Sequence, residues 1–300
     1  MSFAFDMRRN QDEILANGEF PLTRRDLAEI AAMIYADAGI YLNETKASLV
    51  YSRLSKHIRQ LGLRDFRSYC ELVSSPQGAA ERREMLSFLT TNFTRFFREN
   101  HHFEHLRDEV LPGMVARLKA GGRARIWSAA CSDGQEPYSI ALTVLSAMPN
   151  IADYDFRILA TDIDPKILAA ARLGAYDENA LETVSPQLRK QYFQPVTVNG
   201  RQKWQVTDPV KRLITFNELN LLANWPFKGR FDVIFCRNVV IYFDEPTQMR
   251  IWSRFSDLMT DGGYLYIGHS ERVSGEAKAC FDNTGITTYK FIGKPAGRRG

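Results

Sequence analysis

A turn of small residues and an acid at the end of a second strand are the part of this sequence best suited to binding a ligand. The turn follows a predicted buried strand, Arg125–Ala130, and leads into a helix that begins at Pro137. Further along, a second predicted strand, Arg157–Thr161, is followed by Asp162. In doubly wound sheets, small side chains let the backbone approach a ligand, and the acid accepts hydrogen bonds from ribose hydroxyls. The arrangement therefore predicts an adenosine site.

The small-residue turn distinguishes between classes of nucleotide ligand. It lacks the full G-x-G-x-x-G spacing and keeps only Gly134, with Ala129 and Cys131 where glycines would stand. A pyrophosphate is cradled by glycine backbone, so a nucleoside without phosphates, such as S-adenosylmethionine, fits better than a dinucleotide. Glu136, at the start of the next helix, either relieves the exposed helix amides or contacts the amino group or ribose of that ligand.

Polar residues also follow two later strands. Asn220 comes after the predicted strand Ile214–Glu218 and suits either a contact with adenine or a simple turn. Arg237 and Asn238 come directly after the apolar strand Phe231–Cys236. Residues at the carboxyl end of a buried strand lie over the site in doubly wound folds. The alternative is a salt bridge that closes the sheet edge.

Strands and helices alternate from Arg123 onward, which predicts a mostly parallel sheet. The last two strands are expected to pair as an antiparallel edge. Asn199-Gly200 lies between two β-rich runs and predicts a hairpin, which we interpret as an insertion at about residues 191–210. The predicted strands are Arg125–Ala130, Arg157–Thr161, Ile214–Glu218, Phe231–Cys236, Gly263–Gly268 and Thr288–Ile292.

The residues before the sheet are predicted to be mainly helical. The first helix has Thr23 as its N-cap and Asp26 at position N3. The second runs from about Glu44 to Leu61 and has one apolar face. The predicted division of the chain is a flexible leader at residues 1–19, an all-α domain at 20–89, a linker with a helix at 90–122, and the sheet domain at 123–300.

The composition is that of an ordinary globular chain. Hydrophobic residues make up 45% of it, and the formal net charge of +4 is too mild to indicate nucleic acid. No apolar run approaches the roughly 18 residues of a membrane span, and the first residues lack a signal-peptide core. The four cysteines are scattered, without a C-x-x-C pair or a histidine at metal spacing. They predict reduced thiols, a cytoplasmic protein and no metal site.

Five motifs in one order resemble the chemotaxis receptor methyltransferases. They are Thr90-Thr-Asn-Phe-Thr-Arg-Phe-Phe-Arg-Glu, Trp127-Ser-Ala-Ala-Cys-Ser-Asp-Gly-Gln-Glu-Pro-Tyr-Ser-Ile, Ala160-Thr-Asp-Ile-Asp, Phe235-Cys-Arg-Asn-Val-Val-Ile-Tyr-Phe and Gly268-His-Ser-Glu. The resemblance covers nearly the whole chain, and one departure is Gln135, where the family usually has a second glutamate.

The resemblance implies a fold and a reaction. The fold is α/β, the doubly wound, mostly parallel seven-stranded sheet of class I methyltransferases, with a small all-α N-terminal domain and a β-hairpin insertion. The reaction passes a methyl group from S-adenosylmethionine to glutamate side chains on the cytoplasmic helices of chemoreceptors. The partner is then the cytoplasmic helical domain of methyl-accepting receptors, with neither nucleic acid nor membrane insertion. The expected location is the cytoplasm, with recruitment to membrane receptor arrays.

The resemblance also implies roles for particular residues. Arg98 and Tyr242 are implied to be catalytic, although by itself Arg98 is typical of a solvated helix and Tyr242 of a core. The residues implied to contact S-adenosylmethionine, or its product S-adenosylhomocysteine, are Asn92, Thr94, Arg98, Glu136, Asp162, Asn220, Leu221, Arg237 and Asn238.

The chemistry of such a transfer explains why these residue types suit it. A sulfonium and a carboxylate neutralise each other in an in-line displacement. Glutamate has an ordinary pKa of about 4.3 and is ionised at neutral pH, so no general base is required. The site must instead capture and aim the carboxylate. A guanidinium and a phenol are suited to that task.

Basic residues of the second predicted helix suit an acidic partner. Lys46, Arg53, Lys56 and Arg59 would complement a receptor helix whose reactive positions are glutamates, and so guide the encounter. Surface ion pairs are individually weak, and a plain solvated face is the alternative.

Three other functions fit parts of the same sequence. A catalytically idle S-adenosylmethionine-binding adaptor of receptor arrays would have the same fold, but the presence of Arg98 and Tyr242 disfavours it. A nucleotide-linked oxidoreductase would have a turn richer in glycine and would carry nicotinamide. An RNA methyltransferase would explain the basic helix, but no aromatic stacking platform accompanies that helix.

Overall fold

The computed structural model describes residues 10–90 and 93–294 of the 300-residue chain. These residues form two compact units. One contains residues 10–90 together with Tyr242–Asp244, and the other contains residues 93–241 and 245–294. Across the two described ranges, none of the helices combines the length and apolarity needed to cross a membrane.

The first unit is mainly helical. Its first helix starts with a capping box, because the Thr23 hydroxyl accepts from the Asp26 backbone N–H and the Asp26 carboxylate accepts from the Thr23 N–H. The stripe of Leu27, Ile30 and Ile34 below this cap is fully buried. This is the helix start and the apolar face that the sequence predicts. The helices are α1 (Arg24–Ala38), α2 (Ala47–Gln60), α3 (Phe66–Ser74) and α4 (Ala79–Leu89).

The residues before α1 form secondary structure that was not predicted from the sequence. Two short strands, β1 (Ile14–Ala16) and β2 (Leu22–Thr23), pair in antiparallel fashion. The buried Arg24 guanidinium bonds to Glu13 at 2.6 Å and to Glu44 at 2.9 Å. The prediction of a flexible leader over residues 1–19 therefore does not hold for residues 10–19, and the earlier residues lie outside the described ranges.

The second unit is built on a mixed α/β sheet. A helical run from residue 101 to 119 precedes the first strand and includes a π-helical turn, Leu106–Val110. In chain order the elements are α5 (His101–His105), α6 (Leu111–Lys119), β3 (Arg123–Ala129), α7 (Gln135–Ala147), β4 (Asp155–Asp162), α8 (Pro165–Leu173), β5 (Ala175–Tyr176), α9 (Pro186–Tyr192), β6 (Phe193–Val198), β7 (Arg201–Val206), α10 (Asp208–Lys211), β8 (Ile214–Glu218), β9 (Phe231–Cys236), α11 (Glu245–Leu258), β10 (Met259–Ile267), β11 (Phe281–Gly285) and β12 (Thr288–Phe291).

The large sheet has seven strands in the order β11-β12-β10-β9-β3-β4-β8. The five strands from β10 to β8 are parallel, and β12 and β11 form an antiparallel edge, with Leu265 opposite Tyr289. The chain begins at the central strand β3, builds outward through β4 to β8, and then returns to add β9 and β10. The direction of building therefore reverses between β3 and β9, which is where doubly wound sheets bind ligands, at the carboxyl ends of the strands.

A separate three-stranded antiparallel sheet, in the order β5-β7-β6, interrupts the alternation. Its hairpin turns at Asn199 and Gly200, whose φ angles of 49° and 73° are those of the predicted Asn-Gly turn. The predicted fold class, a doubly wound and mostly parallel sheet with an all-α N-terminal unit and a hairpin insertion, is confirmed.

The segment predicted as a linker with a helix contributes to the core of the sheet unit. Phe96, Phe103, Leu106 and Met114 are buried in the same apolar cluster as residues of the sheet. This segment therefore brings Arg98 and its neighbours into the same unit as the strand ends.

Candidate active site

The turn after β3 is held in an unusual backbone conformation. Ala130, Ser132 and Gly134 have φ angles of 60°, 52° and 93°. The Cys131 N–H donates to the Thr161 carbonyl at 2.8 Å, so the turn is bound to the end of β4. Positive φ is uncommon for residues other than glycine, and it persists only where the surroundings impose it.

Asp162 lies at the carboxyl end of β4 and is 6% exposed. Its Oδ2 accepts from the Ser132 N–H at 2.8 Å, and its Oδ1 accepts from the Asp164 N–H at 3.0 Å. Burial raises the pKa of this carboxyl, and its backbone donors act against that rise. The N-cap of α8 is supplied by Asp164, which accepts from the Lys166 N–H at 2.9 Å. Asp162 is therefore not needed as a helix cap.

Glu136 lies in the first turn of α7, next to the end of β3. One carboxylate oxygen accepts from the Ser128 hydroxyl at 2.7 Å, and the other accepts from Arg237 Nη1 at 3.0 Å. Burial raises the pKa of Glu136, while Arg237 and Ser128 lower it. The carboxylate is thus fixed by two side chains rather than by the helix amides alone.

Arg237 follows β9 and joins two acids in the interior. Its side chain is 2% exposed, and its guanidinium lies 3.0 Å from Glu136 and 3.3 Å from Glu99. The guanidinium also donates to the Arg98 carbonyl and lies 5.6 Å from the centre of the Phe103 ring. The salt-bridge alternative from the sequence analysis accounts for these contacts, and a direct contact with a ligand stays a prediction for Arg237.

Glu99 is the second acid of this group and was not identified from the sequence. It approaches His269 Nδ1 at 3.1 Å and the Asn238 side-chain amide at 3.5 Å. Burial raises the pKa of Glu99, but the charge of Arg237 and the hydrogen bonds from His269 outweigh it and lower the pKa to about 2. Glu99 is therefore ionised at any working pH.

The segment that carries Arg98 runs beside this acid cluster. The Arg98 Nη1 donates to the Phe93 carbonyl at 3.0 Å, and the side chain is half-buried. Thr94 is half-buried in the same segment. The remaining predicted contact of this segment, Asn92, lies outside the described residues. Arg98, Asp162, Glu136, Arg237 and Asn238 all belong to the sheet unit.

Asn220 and Leu221 follow β8 in a tight turn. Asn220 Oδ1 accepts from the Leu222 N–H at 2.9 Å, so part of this side chain serves the turn. The Leu221 carbonyl accepts from Arg254 Nη1 at 2.7 Å, and its side chain is buried. Their contact with adenine stays a prediction.

Backbone strain concentrates around these strand ends. In the described chain, seven residues other than glycine have positive φ. Five of the seven lie at strand ends or in the Arg98 segment: Phe97, Glu99, Ala130, Ser132 and Asn238. Strained backbone clusters at ligand sites because the surrounding structure must impose it. The strain therefore marks the same edge of the sheet as the polar residues.

The helical unit contains the remaining predicted residues. Tyr242 ends a 3₁₀ turn, Val240–Tyr242, and its carbonyl accepts from the Tyr41 N–H at 2.8 Å. Of the four basic residues, Lys46, Lys56 and Arg59 are exposed, and Arg53 is half-buried. Arg53 donates to the Phe88 and Thr90 carbonyls at the end of α4, and Arg59 is paired with Glu19.

Comparison with known proteins identifies the chain. A family model described as "CheR methyltransferase, SAM binding domain" matches residues 92–290, and one described as "CheR methyltransferase, all-alpha domain" matches residues 25–90. The chain belongs to the CheR methyltransferase family. It is therefore an S-adenosylmethionine-dependent methyltransferase of chemotaxis, and glutamate O-methylation is the standard reaction of this family.

Curated relatives agree with this assignment. A probable chemotaxis protein methyltransferase of Rhizobium etli is 78% identical over 89% of this chain and 100% of its own. Chemotaxis protein methyltransferase 2 of Pseudomonas aeruginosa is 42% identical over 86% of this chain and 90% of its own. The chemotaxis protein methyltransferase of Escherichia coli is 42% identical over 82% of this chain and 83% of its own.

The polar groups of this CheR family member fit S-adenosylmethionine. Asp162 is bound by backbone amides rather than by a cation, so each carboxylate oxygen keeps a lone pair for a ribose hydroxyl. Glu136 keeps acceptor capacity for an ammonium group after its bonds to Ser128 and Arg237. These residues would hold the cosubstrate through its ribose and its amino group.

A buried acid at the end of β10, Glu271, was also not identified as a site residue from the sequence. It is 3% exposed and follows Gly268-His-Ser, the fifth motif of the resemblance. An acid shortly after a buried strand was an available signal, because a buried carboxylate there needs donors nearby. Glu99 had a similar signal, since a buried Arg237 requires an anionic partner.

One group of metal-ligating side chains occurs within the described part of the chain. Glu99, His101 and His102 each place one ligand atom within 4.8 Å of the others. Burial and the charge of Arg237 lower the pKa of His102 to about 3, so this imidazole is neutral. Glu99 is already paired with Arg237, and the positive charge of Arg237 opposes the binding of a metal cation there. The expectation that the protein has no metal site stays a prediction.

Proposed function

We propose that this chain methylates glutamate side chains on the cytoplasmic helical domain of methyl-accepting chemotaxis receptors, producing glutamate methyl esters. The observation that carries the proposal is a pair of acids in a chain of this family: the buried Asp162 at the end of β4 and the largely buried Glu136 in the first turn of α7. Nothing in the relatives favours the catalytically idle adaptor. Recruitment to membrane receptor arrays follows from this choice of substrate and belongs to the same proposal.

The roles of the residues follow from the charges involved. S-adenosylmethionine supplies a methyl group on a positively charged sulfur. The substrate glutamate is ionised at neutral pH, so the protein need not remove a proton. The Arg98 guanidinium captures the incoming carboxylate, and the Tyr242 hydroxyl orients the reacting groups through a hydrogen bond. Asp162 and Glu136 fix the cosubstrate so that its methyl faces the carboxylate.

The direct test supplies methyl-labelled S-adenosylmethionine and receptor-bearing membranes to the purified protein. We expect label on the receptor that is released as methanol by mild base, since carboxyl esters are base-labile. Base-stable label would contradict a glutamate ester, and absence of transfer to receptor would contradict the proposed substrate.

Asp162→Ala should weaken S-adenosylhomocysteine binding by roughly 1.5–3 kcal/mol, because hydrogen bonds from the ribose to a charged acceptor are lost. Calorimetric titration measures the change, and a thermal melt verifies that the variant is folded. The matched control is Asp155→Ala at the other end of β4, where the carboxylate is exposed and paired with Arg125. Equal affinities of Asp162→Ala and wild type for S-adenosylhomocysteine would show that Asp162 does not bind the ligand.

The basic face of the helical unit, defined by Lys46 and Lys56, is proposed to attract the acidic receptor helix. Arg53 and Arg59 were predicted to belong to it as well. Arg53 is half-buried and bonded to the end of α4, and the exposed Arg59 is paired with Glu19 at the surface, so reversing either charge would also change a contact within the unit. Lys46 and Lys56 are exposed and suit the test.

Lys46→Glu/Lys56→Glu should raise the KM for receptor several-fold at low salt, because long-range attraction guides encounter, and added salt should shrink the difference. S-adenosylhomocysteine affinity should not change. A control with the same change of net charge is Lys119→Glu/Lys278→Glu, at exposed positions of the sheet unit. If both double variants have the same KM and the same salt dependence, the face defined by Lys46 and Lys56 is only a solvated surface.

A further inference from the structure

The Glu271 carboxylate is the acceptor for four backbone donors. Its Oε2 accepts from the N–H groups of Gly268 at 2.5 Å and Asn238 at 2.9 Å. Its Oε1 accepts from the N–H groups of Val239 at 2.8 Å and Val240 at 2.9 Å. One buried side chain thus binds the ends of two neighbouring strands, β9 and β10.

The bonded segments lie close to each other at Gly268. A methyl group on Gly268 would lie 2.7 Å from the Asn238 backbone nitrogen, which is inside van der Waals contact. Asn238 itself has a φ of 60°, a left-handed conformation that asparagine adopts more readily than most residues. The hydrogen bond from its N–H to Glu271 helps to hold the backbone in this conformation.

These bonds act directly on predicted site residues. Asn238 is a predicted contact of S-adenosylmethionine, and Arg237 precedes it in the chain. Glu271 binds three consecutive amides, at residues 238–240, and the last of them, Val240, begins the short turn that ends at Tyr242. A shift of this segment would displace Asn238 and change the path of the chain towards Tyr242.

We propose that Glu271 is a positioning residue of the methyl-transfer site, which holds the 238–240 segment in the conformation that binding and catalysis require. The inference rests on the proposed function, because Asn238 and Tyr242 have roles only in that reaction. Glu271 acts through the backbone of these residues and does not itself touch the reacting groups.

A buried carboxylate can also serve stability alone, and β9 offers a matched control for that case. Asp232, near the other end of this strand, is 8% exposed. It accepts from the Arg125 N–H at 2.7 Å and from Arg117 Nη2 at 2.5 Å. Asp232→Asn therefore removes a buried, hydrogen-bonded charge from the same strand, away from the carboxyl ends.

The experiment compares Glu271→Gln with Asp232→Asn in the full chain. Glutamine keeps one acceptor oxygen and replaces the other with a donor, so two of the four amides lose their acceptor. We expect S-adenosylhomocysteine binding, measured by calorimetry, to weaken about tenfold in Glu271→Gln, in keeping with the loss of hydrogen bonds to a charged acceptor. Asp232→Asn should bind within about twofold of wild type, even where thermal melts show that both variants lose stability.

Hydrogen exchange gives a readout that does not depend on activity. The two amides that face the glutamine NH₂ group, either Val239 and Val240 or Gly268 and Asn238, should exchange faster in Glu271→Gln, and all four should stay protected in Asp232→Asn. Unchanged affinity and kcat in Glu271→Gln, with a wild type that binds and methylates, would overturn the positioning role alone. An equal loss of affinity in both variants would also overturn it, by showing a general effect of stability. A wild type that does not bind S-adenosylhomocysteine would instead contradict the proposed function.

Discussion

Arg98→Ala should lower the kcat for receptor methylation by about 100- to 1,000-fold, the usual cost of losing a group that orients or stabilises the reacting atoms. The affinity for S-adenosylhomocysteine should change much less. The reason is that the reaction needs no general base, so aiming the carboxylate is the main task of the site. Steady-state kinetics with receptor membranes and calorimetry with S-adenosylhomocysteine separate the two effects.

The structure makes this variant a clean test. The buried Arg237 bonds to the backbone carbonyl of Arg98, which alanine retains, so the acid cluster stays intact. Among the described residues, the Arg98 side chain donates to the Phe93 carbonyl. Arg95→Ala, at an exposed position three residues earlier, serves as the control. A wild-type kcat in Arg98→Ala would show that Arg98 has only a structural role.

Tyr242→Phe removes only a hydroxyl and should give the same pattern of lower kcat with little change in affinity.

Local patterns were sufficient to predict most elements of the fold. The strands Ile214–Glu218 and Phe231–Cys236 have the predicted bounds because turn residues and apolar runs delimit them. The capping box at Thr23 is likewise a short-range pattern. Residues 10–19 were misjudged because their order comes from distant partners, such as the bond between Glu13 and Arg24.

The site was predictable to the extent that topology alone places residues. In a doubly wound sheet, ligands bind at the carboxyl ends of the strands, and this rule pointed to Asp162, Glu136 and Asn238 as candidate site residues. It gave no information on Glu99, because the partners of Glu99 come from other segments of the chain. The sequence of α2 also could not show that Arg53 bonds to the end of α4 while Lys56 is exposed.

Arg237→Met should destabilise the sheet unit by about 3–5 kcal/mol, the usual effect of removing one partner from a buried ion pair. The substitution leaves Glu136 and Glu99 in the interior without their cation. Methionine fills a similar volume, so the loss of charge rather than a cavity dominates. The melting temperature of the sheet unit should fall by roughly 10 °C or more. Arg107→Met is the matched control, because Arg107 is 53% exposed and pairs with Asp108 at the surface, where such pairs contribute at most about 1 kcal/mol.

The pH dependence of the Arg237→Met deficit identifies its cause. In the wild type the folded pKa of Glu99 is lowered to about 2 from an ordinary value of 4.5. A lowered folded pKa adds stability that is fully present above the unfolded pKa and is lost as the pH falls through the folded one. The variant lacks this contribution, and burial raises the pKa of its unpaired acids, so its deficit should be largest near neutral pH and should shrink as both acids take up protons on the way down to about pH 2. A deficit that does not change with pH would assign the destabilisation to packing around Phe103 instead of to the unpaired acids.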